Sequence, residues 1–94
     1  MATIITDTVM DEYLNQTIVI DAVSEYVFAG TLIGGDHRYL FLADADVHDL
    51  RDSKTNRDAY VLELRRHGIR PNRSRVHVSR DQVVSMSLLD DVVE

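Results

Sequence analysis

Six arginines crowd residues 65–80 (Arg65, Arg66, Arg70, Arg73, Arg75 and Arg80), and the nearest following acid is Asp81. A guanidinium pairs bidentately with phosphate and stacks on bases, so a tract of this kind suits a nucleic-acid backbone. The competing reading is a solvated loop whose cations balance Glu63 and the Asp44, Asp46 and Asp49 set. Those acids, with His48, invite a second chemistry. Alternate residues of a strand share a face, and carboxylates so placed could hold a divalent cation. Ordinary solvation at a strand end accounts for them without a metal, and none is expected. His37, His67 and His77 are scattered, with no ligand spacing. Ser24, Ser53, Ser74 and Ser79 have no nucleophile-elbow setting. Gly34-Gly35 lacks the following Lys-Ser/Thr of a phosphate loop and reads as a turn. The sequence supports neither an enzyme nor a bound cofactor.

The chain that must position the arginines has 94 residues, 45% hydrophobic and 28% charged. That is the size and composition of one small globular domain, 1–94, with a modest core and no room for a large enclosed cleft. Cysteine is absent, which excludes disulfides and thiolate metal sites. No apolar run approaches the roughly 18 residues of a membrane span. Met1 to Asp7 show neither a basic nor an apolar leader pattern, so a cytoplasmic location is expected. The net charge of −6 hides a polarity. Residues 1–50 hold one basic residue, Arg38, against nine acids, whereas 51–94 hold nine basic residues against seven acids.

Thr6 and Asp7 are N-cap types, and Val9, Met10, Tyr13 and Leu14 form one face of a helix over 7–14, with Met10 and Tyr13 packing inward. From Thr17 the period changes. Thr17–Val23 reads as a strand with Ile18, Ile20 and Ala22 on one face, and Ser24-Glu25 turns into a second strand, Tyr26–Ile33. Gly30 interrupts that strand, as expected of a bend or bulge. Gly34-Gly35-Asp36 is the clearest turn signal, and Tyr39–Asp46 is a third strand continuing to about Leu50. Arg51–Arg57 is polar loop. Residues 59–67 fit a strand through Tyr60, Leu62 and Leu64, or a helix through Tyr60, Val61 and Leu64. Asp58 as N-cap, Arg65-Arg66-His67 in the last turn and Gly68 beyond it favour the helix, with a strand extension as the alternative. Arg75–Ser79 and Val83–Leu89 form a final hairpin around the Ser79–Gln82 turn, and 90–94 is a frayed tail. These elements describe a small, strongly bent five-stranded barrel.

The order of elements and two stretches of sequence resemble the Sm/LSm family, which includes the Hfq branch. The family's first motif is similar to Thr17–Ile20, then Gly30-Thr31-Leu32-Ile33-Gly34-Gly35-Asp36, then Leu40-Phe41-Leu42-Ala43-Asp44-Ala45. Its second is similar to Val76-His77-Val78-Ser79-Arg80-Asp81-Gln82-Val83-Val84-Ser85-Met86-Ser87. Three departures stand out. The asparagine with which uridine-binding members hold a base is missing from Asp36-His37-Arg38-Tyr39, Ser79-Arg80 replaces the family's Arg-Gly turn, and the insertion at 51–74 is longer than in many members.

The resemblance implies an SH3-like Sm barrel with an N-terminal helix. It also implies a closed homo-oligomeric ring of about five to seven copies, in which fourth and fifth strands of neighbours pair and cover their edges. It implies single-stranded RNA as partner, bound without catalysis. Asp36 would order a pore loop, His37, Arg38, Tyr39, Ser79 and Arg80 would sit near the pore, and Arg65, Arg66, Arg70, Arg73 and Arg75 would meet phosphates. The net acidity and the missing asparagine favour the rival class, an oligomeric protein-interaction scaffold that has lost the RNA site.

Overall fold

The computed structural model describes residues 8–52 and 55–94. In chain order these form a helix α1 (Thr8–Tyr13), strands β1 (Thr17–Ala22), β2 (Tyr26–Gly35) and β3 (Tyr39–Asp49), a helix α2 (Arg57–His67), and strands β4 (Arg73–Ser79) and β5 (Val83–Leu88). Short 3-10 turns lie over Leu50–Asp52, Arg80–Gln82 and Leu89–Asp91. The five strands are antiparallel in one sheet, in the order β4-β3-β2-β1-β5. The fold is thus the expected mainly β arrangement behind an N-terminal helix.

Two bulges bend the β2–β3 ribbon. Between Ala29↔Asp46 and Thr31↔Ala43 the longer path is on β3, where Asp44 takes the left-handed conformation at φ 49°. Gly30 lies against this kink. A side chain there would begin 2.9 Å from the Ala43 carbonyl oxygen and 3.1 Å from the Ala45 Cβ, so only glycine lets the strands approach so closely. The second shift falls between Leu32↔Leu42 and Gly34↔Phe41, on β2, and leaves Ile33 on the surface.

The bent sheet buries side chains on both faces. Ile18, Ile20, Leu32, Leu40, Leu42, Ala45 and Val78 fill the inner face, and Val9, Met10 and Tyr13 of α1 pack onto that cluster as expected. Val19, Val27 and Ala29 face the other way and meet Tyr60 and Leu64 of α2. Hence Ile18-Val19-Ile20 is buried without alternation, as in strands covered on both sides. Each large apolar side chain so enclosed contributes about 1.5–3 kcal/mol.

The segment at 59–67 is a helix, and the strand alternative is excluded. It starts earlier than expected, at Arg57, because the Asn56 side chain rather than Asp58 caps it, accepting from the Ala59 N–H at 2.8 Å. Gly68, at φ 81°, ends it as expected, its N–H donating to the Leu64 carbonyl.

Other boundaries also move. Leu14 lies beyond α1, which gives way to Asn15 at φ 64°, while the N-cap assignment to Thr6 and Asp7 falls outside the described residues. Gly34 and Gly35 end β2 instead of turning, and the turn proper is Asp36–Arg38. Within the expected loop at 51–57, Leu50–Asp52 is a 3-10 turn, and Ser53 and Lys54 lie outside the described residues. β4 begins at Arg73, two residues before the expected start.

Two corrections concern topology. β4 and β5 form no hairpin: β4 pairs β3 and β5 pairs β1, so they stand at opposite edges of the sheet. The 3-10 turn after Ser79 carries the chain from one edge to the other, and the Val23 N–H docks on the Gln82 carbonyl at 2.8 Å. The tail is likewise not frayed. After Leu89–Asp91 it runs back beside α2, where Arg66 Nε donates to Glu94 Oε1 at 2.7 Å.

Candidate nucleic-acid interface

The turn between β2 and β3 is built by one carboxylate. Asp36 Oδ1 accepts from the backbone N–H groups of Arg38 and Tyr39, both at 2.8 Å, closing an Asx turn. The Asp36 N–H in turn donates to the Tyr39 carbonyl at 3.0 Å. These two backbone donors, with help from the charges of His37 and Arg80, hold the Asp36 carboxyl below the usual carboxylate range. The loop is therefore fixed by a negative charge already committed to its own backbone.

The second loop meets the first through the sheet. Tyr39 pairs with Ser79, and just beyond them the Arg80 N–H donates to the Arg38 carbonyl at 2.9 Å. A Cβ at Gly35 would stand 3.3 Å from Arg80 Nη2 and 3.1 Å from Met10 Cε, so the bare glycine leaves room for the guanidinium and for α1. Asp36, His37, Arg38, Tyr39, Ser79 and Arg80 thus come together at one end of the sheet.

The other arginines separate into three places. Arg65 and Arg66 lie on α2, and Arg66 is engaged by Glu94. Arg70, in the connector, is exposed and lines a cleft of about 250 Å³ with Asp46, Glu63 and His67. Arg73 and Arg75 are exposed on β4, two residues apart and therefore on one face of that strand. The tract is continuous in sequence but divided in space between a helix, a connector and a sheet edge.

Two members of the acidic set, Asp46 and Asp49, are engaged. Asp46 accepts from the Tyr60 hydroxyl and, at 2.9 Å, from Asn72 Nδ2. Asn72 also brackets Val47, accepting from its N–H and donating to its carbonyl, both at 3.0 Å. The His48 ring stacks on Tyr60 at 3.9 Å and 5°. Asp49 forms a two-pronged pair with Arg51, at 3.0 and 2.8 Å, which lowers its carboxyl to about 2. Among the described residues no three His, Cys, Asp or Glu side chains are arranged to hold a metal ion.

Sequence reasoning missed two participants. Arg57 is a clamp rather than loop, reaching Asp21 at 3.1 Å and the Ser24 carbonyl at 3.2 Å. His77, read from the sequence as scattered surface, lies over Phe41 with ring centroids 4.2 Å apart. The alternation Arg73-x-Arg75-x-His77 was the available signal, but it needs the β3–β4 register to acquire meaning.

No protein-family model and no curated protein matches the chain. Among solved structures, an Sm protein from Pyrococcus abyssii in complex with a uridine heptamer superposes with a TM-score of 0.58. The match covers 86% of this chain and 93% of that one, at 19% identity. Two structures of the NatC complex also contain a similar chain. The one bound to Gag peptide and CoA gives a TM-score of 0.55 at 14% identity, covering 84% of this chain and 89% of that one. The one bound to CoA gives 0.56 at 14% identity, covering 93% and 88%. The five-stranded bent sheet with its N-terminal helix is an Sm-like fold.

Proposed function

We propose that this chain is an Sm/LSm-family protein that assembles into a homo-oligomeric ring in the cytoplasm and binds single-stranded RNA without catalysing a reaction on it. The observation that carries the reading is the junction of the Asp36–Tyr39 and Ser79–Arg80 loops, tied by the Arg80 N–H on the Arg38 carbonyl. It offers an exposed tyrosine and cations beside an ordered turn, the equipment for stacking a base and meeting its phosphate. The Sm protein solved with a uridine heptamer supports RNA as the partner class. Pairing of β4 with the β5 of a neighbour would cover both open edges, which supports the ring.

A second reading, an oligomeric protein-interaction scaffold, is favoured by one observation: similar chains are found within the NatC complex. Titration with uridine-, adenine- and mixed-sequence oligoribonucleotides at low salt separates the two. RNA binding is expected to weaken steeply with salt, and Arg80→Gln to lower affinity about ten-fold. Failure of all three oligonucleotides to bind would leave the scaffold reading in place.

A further inference from the structure

The outer face of the sheet is covered over only part of its extent. Its β1–β2 part, with Val19, Val27 and Ala29, lies beneath Tyr60 and Leu64 of α2. Asp46 and His48, toward the end of β3, are held to Tyr60 of the same helix. Upstream of the Asp44 kink, no helix among the described residues packs on that face. There the inward residues Leu40, Leu42 and Val78 belong to the core, so by alternation Tyr39, Phe41, Arg75 and His77 point outward.

This open surface is aromatic and basic at once. Phe41 faces His77 across the β3–β4 ladder, their rings 4.2 Å apart at 32°. Tyr39, 38% exposed, lies 6.3 Å from the same imidazole. On the other side of Phe41, its partner Gly34 sets no side chain against the ring: a Cβ there would sit 3.5 Å from its Cδ2. Along β4, Arg75 continues the row set by His77, opposite Ala43, and Arg73, past the kink and opposite Ala45, is exposed and donates to the Asn72 carbonyl at 3.0 Å. Among the described residues no carboxylate pairs with either arginine. A cross-strand aromatic pair alone would stabilise the ladder. It would not require an exposed third ring or two exposed cations beside it.

We propose that Tyr39, Phe41 and His77 form a base-stacking platform on the outer sheet face, and that Arg75 and Arg73 hold the backbone of the same single-stranded RNA beside it. Bases of any identity can lie on these rings, because every base has a π-face, so this surface would bind with little sequence preference. The inference rests on RNA as partner but assigns a surface separate from the Asp36–Arg38 and Ser79–Arg80 loops, with Tyr39 at their border. It gives His77 and Arg75 roles that do not depend on an asparagine after Asp36.

The decisive variants are His77→Ala and Arg75→Gln, both exposed and outside the core. The probe is a mixed-sequence oligoribonucleotide titrated at several salt concentrations against the full chain, with a 5-iodouridine version for crosslinking and mass spectrometry. His77→Ala is expected to weaken binding about ten-fold. Arg75→Gln is expected to reduce the slope of log affinity against log salt by about one. Crosslinks should fall on Phe41 or His77 as well as on Tyr39. If the wild-type chain binds but both variants match it and crosslinks are confined to 36–38 and 79–80, the platform is wrong and the loop reading stands. If the wild-type chain binds no RNA, both are wrong.

Discussion

Tyr60 is the residue on which the helical cover of the sheet turns. Its ring is stacked under His48 and its hydroxyl ends on Asp46, which also holds Asn72 and through it the entry to β4. Burial first, then the bond to Asp46 and the negative charge of that group, push the Tyr60 phenol far above its ordinary value. A group raised in the folded state contributes stability that is complete below its unfolded value, near pH 10, and that fades as pH rises beyond it. Alkaline unfolding should therefore begin above about pH 10. Tyr60→Phe should flatten that limb while lowering neutral-pH stability by about 1–2 kcal/mol, readable by denaturant titration at several pH values. Little of this was legible beforehand: Tyr60 fits either period, and its partner Asp46 appears in the sequence only as one acid among several.

At the scale of elements, α2 shows what local chemistry reveals and what it misplaces. The Arg65-Arg66-His67 run and Gly68 mark its end correctly, because the macrodipole and the left-handed C-cap act within one turn. Its start lies two residues before the one the sequence predicts, since Asn56 and Asp58 are equally good cap types and only the folded backbone decides between them. Asn56→Ala should cost about 1 kcal/mol of stability in thermal or chemical unfolding, and Asp58→Ala clearly less. A larger effect at Asp58 would show that the cap has been misassigned. The final hairpin that the sequence predicts is absent for a related reason. Ser79–Gln82 has the composition of a tight turn, but turn residues do not reveal which strands the flanking segments join. That choice is made by β1 and β3, some thirty to seventy residues away. Arg66 is another long-range case, since Glu94 lies 28 positions on.

Across the whole molecule, the charge polarity of the sequence becomes a distribution over surfaces. The acidic first half is drawn partly into internal bonds, through Asp21 to Arg57 and Asp46 to Tyr60, while Arg73 and Arg75 stay on an open edge strand. Net charge alone therefore says little about partners. The overall fold was readable because bent-strand glycines and apolar runs act locally; the platform on β3 and β4 was not, because it depends on register. The proposed ring makes the largest claim at this scale. Light scattering should give a mass several-fold above the 10.7 kDa of one chain. A stable monomer at micromolar concentration would remove the ring and leave both sheet edges to be explained.

The pairing of the last strand with the first also sets a timetable. Ile18 lies opposite Leu88, and Ser85 Oγ reaches Asp21 Oδ2 at 3.1 Å, so β1 gains its outer neighbour only after about seventy intervening residues exist. On a ribosome, α1 and the β1–β2–β3 meander can gather early, but one flank of β1 stays bare until residues 83–88 have emerged. Closing so long a loop is slow, since its entropy is lost before the contacts that reward it form. The nascent chain thus carries an apolar strand, Ile18-Val19-Ile20, with an unsatisfied edge while the segment between β1 and β5 is made, and that interval is when it is most exposed to pairing with the wrong neighbour.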